Sequence, residues 1–430
     1  MLKKGTILLI SSMIALTACS QGTNQSQEKE KGQKQEKVEL RMAWWGGQAR
    51  HDMFNKLLDA FEQKNPTITV AREFGTEGQF VEKVTAQAAG SSAPDVFQAS
   101  SFYLDDFIGR KMYMELDPLI ASGDINLKDY EKVDVDAGKK DNKQYLIPWG
   151  HIMTGIIYNA DIFKKAGVEL PKNNWTWDDY EKSLTALQKT LGDSAWATED
   201  EGGSYRVLEN FAIQKGKTVF TDKGLGITKQ DLIDWYTIWD KLRKAKVIPP
   251  AGIQKEQGGK SQEQSMLAKG KVAMISTSSN QLRTYQSSTK DELNIVSYPW
   301  TTNAKQEVPM IVSGVGISVN SKHPKEAAKL INWLVNDPEA AKIFKGEHGQ
   351  PPAKPMREII KPLIGDAEKK EYKYSDDMQS VIKPYPAQPA GSASVQKLIL
   401  AENEAIAFGK TSIEQAVNDF FAQANQILTR

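Results

Sequence analysis

The chain contains one cysteine and few histidines, and both counts exclude whole classes of protein. Cys19 is the only thiol among 430 residues, so an internal disulfide is excluded. The four histidines, His51, His151, His323 and His348, show no spacing typical of metal ligands. Lysine and arginine exceed aspartate and glutamate by one, 55 against 54, so no overall field attracts nucleic acid. We therefore expect no metal, no cofactor and no nucleic-acid partner.

The common catalytic motifs are also missing. The sequence has no G-x-S-x-G, no H-E-x-x-H, no Walker A run and no G-x-G-x-x-G after a strand. A glycoside hydrolase needs two carboxylates across a cleft. The chain has 54 acidic residues, so their number does not distinguish a hydrolase from a binding protein. The sequence therefore favours binding over catalysis, and a surface glycoside hydrolase is the enzymatic alternative.

After residue 18, no stretch of eighteen apolar residues occurs, so the sequence predicts no membrane-spanning segment in the body of the chain. Lys3 and Lys4 precede an apolar stretch over residues 6–15, a layout typical of a secretory signal and too short to span a membrane. We predict a signal peptide over residues 1–18 and a tether over residues 19–37, where no aliphatic residue is available to build a core.

The run Leu16, Thr17, Ala18, Cys19 resembles the bacterial lipobox, in which the signal is cut off and the new N-terminal cysteine is diacylated. Two acyl chains anchor a protein firmly, whereas one chain is marginal. The resemblance implies a lipoprotein held on the outer face of the cytoplasmic membrane. The alternative is an ordinary secretory signal with an incidental cysteine.

The body of the chain predicts an α/β fold. Apolar and polar residues alternate over 38–42, which indicates a strand. Apolar residues from Met53 to Phe61 have helical spacing, and Ile68 with Val70 indicates a second strand. Strand, helix and strand within about thirty-five residues form the unit that builds a parallel sheet. Strands and helices continue to alternate, with a helix over 78–89, a strand over 95–98 and a helix from about 103. The same alternation returns late in the chain, with a strand over 314–319 and a helix over 327–334.

The middle of the chain is more helical, with tryptophan-bearing segments over 175–187 and 232–242. Thr176 and Asp179 have the spacing of a capping box, so the tryptophans beside them, Trp175 and Trp177, are explained well as parts of a helix start.

Six segments in order resemble the extracellular solute-binding lipoproteins of carbohydrate ABC importers. They are L-R-M-A-W-W-G-G-Q-A-R-H at 40–51, A-P-D-V-F-Q at 93–98, I-P-W-G at 147–150, I-I-Y-N-A-D-I-F-K-K-A-G at 156–167, G-K-V-A-M-I at 270–275 and S-V-N-S-K-H-P-K-E-A-A-K-L-I-N-W-L at 318–334. The W-W-G-G-Q and G-E-H-G-Q-P segments look most like a subgroup for plant cell-wall oligosaccharides such as pectin or rhamnogalacturonan fragments.

The resemblance implies a periplasmic-binding-protein-like fold of two lobes joined by three chain crossings. The crossings are expected near 150–153, 294–297 and 335–337. The lobes are then 38–150 with 297–336, and 151–296 with 337–430. The implied function is capture of an oligosaccharide by a monomer and its delivery to an importer permease. A peptide-binding importer lipoprotein would share the fold and remains an alternative.

A saccharide site needs aromatic rings for its C–H faces and side chains that donate and accept hydrogen bonds. Such a mixture follows predicted strands, where open α/β sheets bind ligands. Of the adjacent Trp44 and Trp45, one is expected in the core, since neighbouring strand residues face opposite ways. From the residues and the resemblance together, we predict ligand contacts from Trp44, Trp45, Gln48, Arg50, His51, Ser100, Ser101, Tyr103, Trp149, His151, Asn280, Gln281, Tyr298, Trp300 and Glu347. Trp149 is also good core material, and the loop that carries Glu347 is also explained by a plain turn.

Overall fold

The computed structural model describes residues 37–221, 223–258, 260–386 and 388–429. The predicted signal peptide, the lipidation site Cys19 and all but the last residue of the predicted tether lie outside these ranges.

The described residues form twelve strands and seventeen α-helices. The strands are β1 Val38–Trp45, β2 Ile68–Gly75, β3 Val96–Ser100, β4 Lys139–Lys140, β5 Lys143–Gln144, β6 Ile147–Asn159, β7 Phe220–Thr221, β8 Gly224–Leu225, β9 Met274–Ser278, β10 Leu293–Val296, β11 Val308–Ile317 and β12 Ile382–Pro384. The helices are α1 Gln48–Lys64, α2 Glu77–Ala89, α3 Leu104–Gly109, α4 Asp117–Ala121, α5 Lys132–Asp136, α6 Ala160–Ala166, α7 Trp177–Leu191, α8 Tyr205–Gln214, α9 Lys229–Lys244, α10 Ala251–Gln257, α11 Leu282–Ser287, α12 Pro324–Asn336, α13 Pro338–Phe344, α14 Lys354–Ile360, α15 Asp366–Met378, α16 Ser392–Ala407 and α17 Ile413–Leu428. Short 3₁₀ turns cover Gly192–Ser194, Gln262–Gln264, Ser279–Gln281 and Lys361–Leu363.

The main sheet runs in the order β10, β6, β11, β3, β1, β2, with β9 also paired to β6 and β12 to β11. β1, β2 and β3 are parallel, as the predicted strand–helix–strand units require. β6 is the strand that joins the two ends of the sheet. Its residues up to Met153 pair with β11, and its residues from Thr154 onward pair with β9 and β10.

The sequence patterns locate most of these elements. α1 buries Phe54, Leu57, Leu58 and Phe61 and ends before Asn65, so the predicted helix is confirmed. α12 likewise buries the predicted apolar face, including Ala327, Leu330 and Ile331. The strand expected over 314–319 is longer and begins earlier, because β11 also pairs with the far part of β6 and with β12.

The helical middle of the chain packs around large rings. Trp235, Tyr236 and Trp239 on α9 are fully or almost fully buried. Thr176 and Asp179 form the predicted capping box at the start of α7, and Trp175 lies in the core just before it. The predicted helix over 232–242 is confirmed as part of α9.

In the described residues, buried apolar side chains form five clusters, of which three are large. The first cluster contains the β1–α1 face together with α12 and Phe344 of α13. The second contains the rings of α7, α8 and α9 with α16 and α17. The third combines residues from both ends of the chain, such as Trp45 and Phe80 with Trp300 and Tyr374. Within the described residues, no helix combines the length and apolar character needed to cross a membrane.

Candidate functional site

A cavity of about 370 Å³ opens where β6 passes from one set of strand partners to the other. Its walls come from both ends of the sheet. They are formed by Trp45, Arg50, Glu77, Ser100, Phe102, Ile152, Arg206, Gln262, Thr277, Ser278, Asn280, Gln281, Ile311, Ser313 and His348. Five of the fifteen predicted contact residues are among them: Trp45, Arg50, Ser100, Asn280 and Gln281.

The sheet explains why these residues meet. Trp45 and Ser100 end the parallel strands β1 and β3, so both lie at the same edge of the sheet. Ser278 ends β9 and pairs with Thr154 in the middle of β6. The carboxyl ends of strands from both halves therefore converge on one place, which is where α/β sheets bind ligands.

Trp45 is the aromatic ring that the predicted motif W-W-G-G-Q contributes to the cavity wall. It is 8% exposed, and its ring packs against Phe80 and Tyr103 at centroid distances of 5.1 and 6.0 Å. Its backbone N–H donates to the side chain of Gln98 at 3.1 Å, which fixes the end of β1. The ring is thus held rigidly at the cavity wall.

Four buried polar atoms of the cavity wall have no hydrogen-bond partner among the described residues. They are the Oγ of Ser100, the Oδ1 of Asn280, the Nε2 of His348 and the Nε of Arg50. Buried polar groups are nearly always paired, because leaving one unpaired costs about 1 to 3 kcal/mol. The four residues that carry these atoms all line the cavity, so the described fold leaves polar groups of this wall unsatisfied.

His348 presents a neutral ring to this cavity. Burial lowers its pKa well below the ordinary value, and the nearby charges of Arg50 and Arg283 lower it further. The ring stacks on Trp149 at a centroid distance of 5.0 Å. Because a neutral imidazole has one donor and one acceptor, His348 suits a hydroxyl group better than an ion.

Glu347 connects two arginines that belong to different parts of the fold. Its carboxylate accepts hydrogen bonds from Arg50 on α1 at 3.2 Å and from Arg283 on α11 at 2.7 Å. α11 packs against β10, whereas α1 packs on β2 and α12. The predicted residue Glu347 therefore lies behind the cavity wall and links its two sides.

Five further predicted contact residues, Tyr103 among them, do not line the cavity. Trp44 is fully buried on the opposite face of β1 and donates to the Nδ1 of His51 at 3.2 Å. His51 stacks on Phe74. Ser101 exchanges hydrogen bonds with the backbone of Val312. Gln48 is exposed and donates to Asp52.

The predicted rings near the crossings are buried as well. Trp149 is 4% exposed and donates to the Oγ of Ser313, a residue of the cavity wall. Tyr298 bonds to Ser276, and Trp300 donates to the carbonyl of Asn173 at 2.6 Å. These rings support the walls and do not line the cavity.

His151 belongs to a buried polar network. Its Nδ1 is 2.6 Å from Asp134, and its Nε2 is 2.9 Å from the Oγ of Ser375. Although burial alone would lower it, Asp134 holds the pKa of His151 above its ordinary value. The order of groups is that of a serine nucleophile with its base, but His151, Asp134 and Ser375 are at most 4% exposed. The network therefore stabilises the strand β6 rather than meeting a substrate.

Sequence reasoning missed most of the residues contributed by the middle of the chain. Arg206, Phe102 and Ser313 carry no local motif, and Thr277 and Ser278 follow the segment at 270–275 that carries the resemblance. His348 lies in the loop that was singled out for Glu347. The signal that could have found Ser278 is the polar end of β9, a run of serine and threonine after an apolar strand.

Residues 50–341 match the family model described as bacterial extracellular solute-binding protein. The chain belongs to this family. One relative is the sn-glycerol-3-phosphate-binding periplasmic protein UgpB of Escherichia coli, 21% identical over 397 residues, which are 87% of this chain and 89% of the relative.

Two solved structures show the fold of this solute-binding protein. An extracellular solute-binding protein family 1 member from Alicyclobacillus acidocaldarius matches with a TM-score of 0.78 and 23% identity, over 92% of this chain and 99% of that one. An oligogalacturonide-binding protein from Yersinia enterocolitica, in complex with saturated digalacturonic acid, matches with a TM-score of 0.77 and 21% identity over the same shares. The predicted two-lobed α/β fold is confirmed. Membership also means that the protein acts outside the cytoplasm as a binding protein and not as an enzyme.

Proposed function

We propose that this solute-binding protein captures a saccharide outside the cell and delivers it to the permease of an ABC importer. The observation that carries the proposal is the wall of the cavity, where the ring of Trp45 stands with the unpartnered polar atoms of Ser100, Asn280 and His348. A sugar offers C–H faces for the ring and hydroxyl groups for the polar atoms.

The proposed cycle is closure of two lobes around the ligand. Hinge closure is a known motion of periplasmic binding proteins, and the ligand favours closure by contacting both lobes. Trp45 and Ser100 lie on one side of the cavity, and Ser278 and Asn280 on the other. We infer that the first crossing is the change of partner in β6 at Met153, within the segment expected from the sequence.

We propose shifted positions for the other two crossings, supported by packing. Trp300 exchanges backbone hydrogen bonds with Trp175 and Trp177, so we place the second crossing after it and before β11. α13 packs on α1 and α12, so we place the third crossing after α13. Apart from these shifts, the proposed lobes are those expected from the sequence.

Pectin fragments are the narrower proposal. Galacturonate units carry carboxylates, and Arg50 and Arg206 at the cavity wall offer planar donor pairs that match a carboxylate. Glu77 is the one acidic residue among the lining side chains. The charge of the wall thus accommodates an acidic sugar as well as a neutral one.

Isothermal titration calorimetry with three panels tests the proposal: neutral oligosaccharides, galacturonides, and peptides of two to five residues. Binding of a saccharide at micromolar or tighter affinity supports it. Binding of peptides alone supports the peptide-importer alternative and overturns the saccharide assignment.

Lipid anchoring through Cys19 is a separate part of the proposal. Residues 16–19 read Leu, Thr, Ala, Cys, which is the only observation that supports it. We expect Cys19→Ser to release the protein into the medium or to leave the signal uncut. Retention of a normally processed Cys19→Ser protein on the membrane would contradict lipidation.

A further inference from the structure

A cavity of about 620 Å³ lies between the end of α7, the end of α9 and the start of α10. Its volume is that of a small-molecule site, which is about 300 to 1,000 Å³. Within the part of the chain that the structure describes, no residue lines both this cavity and the one that contains Trp45 and His348. We call it the α9 cavity, a site separate from the first.

Arg243 of α9 is held in one orientation at the wall of this cavity. Its Nε donates to Asp200 at 2.7 Å and its Nη2 donates to Asn403 at 2.5 Å. Asn403 also donates to Asp200 at 3.2 Å, so the three side chains form a closed ring of hydrogen bonds. The remaining nitrogen of the guanidinium, Nη1, is buried and has no partner among the described residues. Because buried donors are nearly always paired, this nitrogen is prepared for an acceptor group that the described fold does not supply.

Trp196 and Lys246 add two more donors to the same wall. The backbone of Trp196 is fixed on both sides, because its N–H donates to the carbonyl of Lys271 at 2.8 Å and its carbonyl accepts from Ala273 at 3.1 Å. Its indole N–H makes no hydrogen bond with a described residue, and the exposed ammonium of Lys246 makes no ion pair with one. Three donors of the α9 cavity are thus available to a ligand.

Few acceptors accompany these donors. The amide of Gln188 is used inside the protein, since its Nε2 donates to two backbone carbonyls and its Oε1 accepts from a backbone N–H. Asp193 is the one acidic residue among the described lining side chains, against the two cations Arg243 and Lys246. The polar groups left for a ligand are therefore mainly donors, and two of the three carry positive charge.

The rest of the wall is apolar, with the buried side chains of Ile248 and Pro249 beside the ring of Trp196. A carboxylate only accepts hydrogen bonds and matches the planar donors of arginine, whereas a sugar hydroxyl both donates and accepts. We infer that the α9 cavity binds a small organic carboxylate whose body is an apolar ring or chain. This ligand differs in class from the saccharide proposed for the first cavity, and the inference does not rest on that proposal.

Two carboxylates, 3-phenylpropionate and hexanoate, are the probes, and their neutral amides are the matched control ligands. The measurement is the indole N–H signal of each tryptophan in a two-dimensional NMR titration, with Trp196 and Trp45 assigned from Trp196→Phe and Trp45→Phe. We expect at least one carboxylate to shift the Trp196 signal saturably and to leave the Trp45 signal in place. The corresponding amide should bind at least tenfold more weakly, because it loses the charge-assisted hydrogen bonds.

Two charge variants test which groups hold the carboxylate, after thermal melting shows that each is folded. Lys246→Glu and Arg243→Lys should each weaken binding of the carboxylate at least threefold. Lys244→Glu is the matched control, because Lys244 is also exposed, lies two residues earlier and pairs with Asp240 instead of lining the cavity. It should leave the affinity unchanged. If the loss of the contacts with Asp200 and Asn403 unfolds Arg243→Lys, Lys246→Glu decides the result.

A Trp196 signal that neither carboxylate shifts, up to the solubility limit of each, would overturn the inference. Equal affinity for a carboxylate and its amide would do the same, because it would reduce the binding to apolar contact. So would equal weakening by Lys246→Glu and Lys244→Glu, which would indicate the general charge of the surface. Each of these results leaves the saccharide proposal intact, since that proposal uses a different cavity.

Discussion

Arg283 donates to the carboxylate of Glu347 at 2.7 Å, and this contact joins α11 to the loop after α13 behind the cavity lined by Trp45 and His348. Both side chains are a little more than one-quarter exposed. Because Glu347 also accepts from Arg50, one carboxylate holds cations from both sides of the proposed cleft. Opening of the cleft would have to break one of these two ion pairs.

Loss of this carboxylate charge should favour the open arrangement. We expect Glu347→Gln to lower the free energy of unfolding by about 1 kcal/mol, a normal value for a partly exposed ion pair. It should also increase the radius of gyration of the ligand-free protein in small-angle X-ray scattering. Glu339→Gln is the control, since Glu339 pairs with Lys64, which lies on α1 of the same half. An equal change of radius in both variants would argue against a link between lobes.

Removal of the Trp45 ring should weaken saccharide binding. We expect Trp45→Ala to cost about 1 to 3 kcal/mol of binding free energy, as for a buried ring at a binding site. Trp44→Phe is the neighbouring control, because Trp44 is buried on the other face of β1 and does not line the cavity. Calorimetry on both folded variants checks the prediction, and similar losses in both would remove Trp45 from the site.

Removal of the Ser100 hydroxyl should affect binding and not stability. The Oγ has no partner among the described residues, so Ser100→Ala breaks no hydrogen bond of the described fold. We expect it to weaken saccharide binding by about 1 kcal/mol, the value of one neutral hydrogen bond. The free energy of unfolding of the ligand-free protein should show no loss, since removal of an unpaired buried hydroxyl leaves it unchanged or raises it.

Ser313→Ala provides the contrast, because the Ser313 Oγ accepts from both Gln98 and Trp149 at 3.0 Å. Urea unfolding should show a loss of about 1 to 3 kcal/mol for this variant, since two buried donors lose their acceptor. A stability loss of the same size in Ser100→Ala would mean that its hydroxyl serves the fold.

Stability should depend on pH through Glu371, which is 3% exposed and accepts from Ser279 at 3.4 Å. Burial raises the pKa of Glu371 from 4.5 to about 7. Between these values the folded protein keeps a proton that the unfolded chain has lost. The contribution of Glu371 is therefore fully present below pH 4.5 and falls by about 3 kcal/mol as the pH rises through 7.

Glu371→Gln replaces the carboxyl group with an amide of similar shape that is neutral at every pH. The variant should therefore lose the part of the pH dependence of stability that comes from Glu371. Urea unfolding at pH 4 and pH 8 measures the difference between variant and wild type. The control is Glu368→Gln, one turn earlier on α15, where the side chain is less buried. If wild type and Glu371→Gln lose the same stability between the two pH values, Glu371 titrates normally in the fold.

Much of the fold followed from local patterns, and part of the site did not. The apolar spacing of α1 and the capping box of α7 are local, because a helix brings together residues three and four apart. The end of β1 was also predicted as part of the site, and Trp45 and Arg50 line the cavity there. Ser278 is brought to the cavity by pairing of β9 with β6, more than a hundred residues away along the chain, and Arg206 on α8 donates to it there. Periodicity gives no signal for either contact.

The sequence alone determined the class of fold, the family and which side of helices such as α1 and α12 is buried. Hydrophobic spacing and ordered motifs depend only on neighbours along the chain. The tertiary structure decided which rings face a cavity and which serve the core. Trp44, Trp149 and Trp300 are large aromatic residues like Trp45, and the sequence does not separate them from it. In the structure, each of the three donates its indole N–H to a group inside the protein. A buried ring against a cavity and a buried ring against the core satisfy the same apolar pattern, so only their positions in space distinguish them.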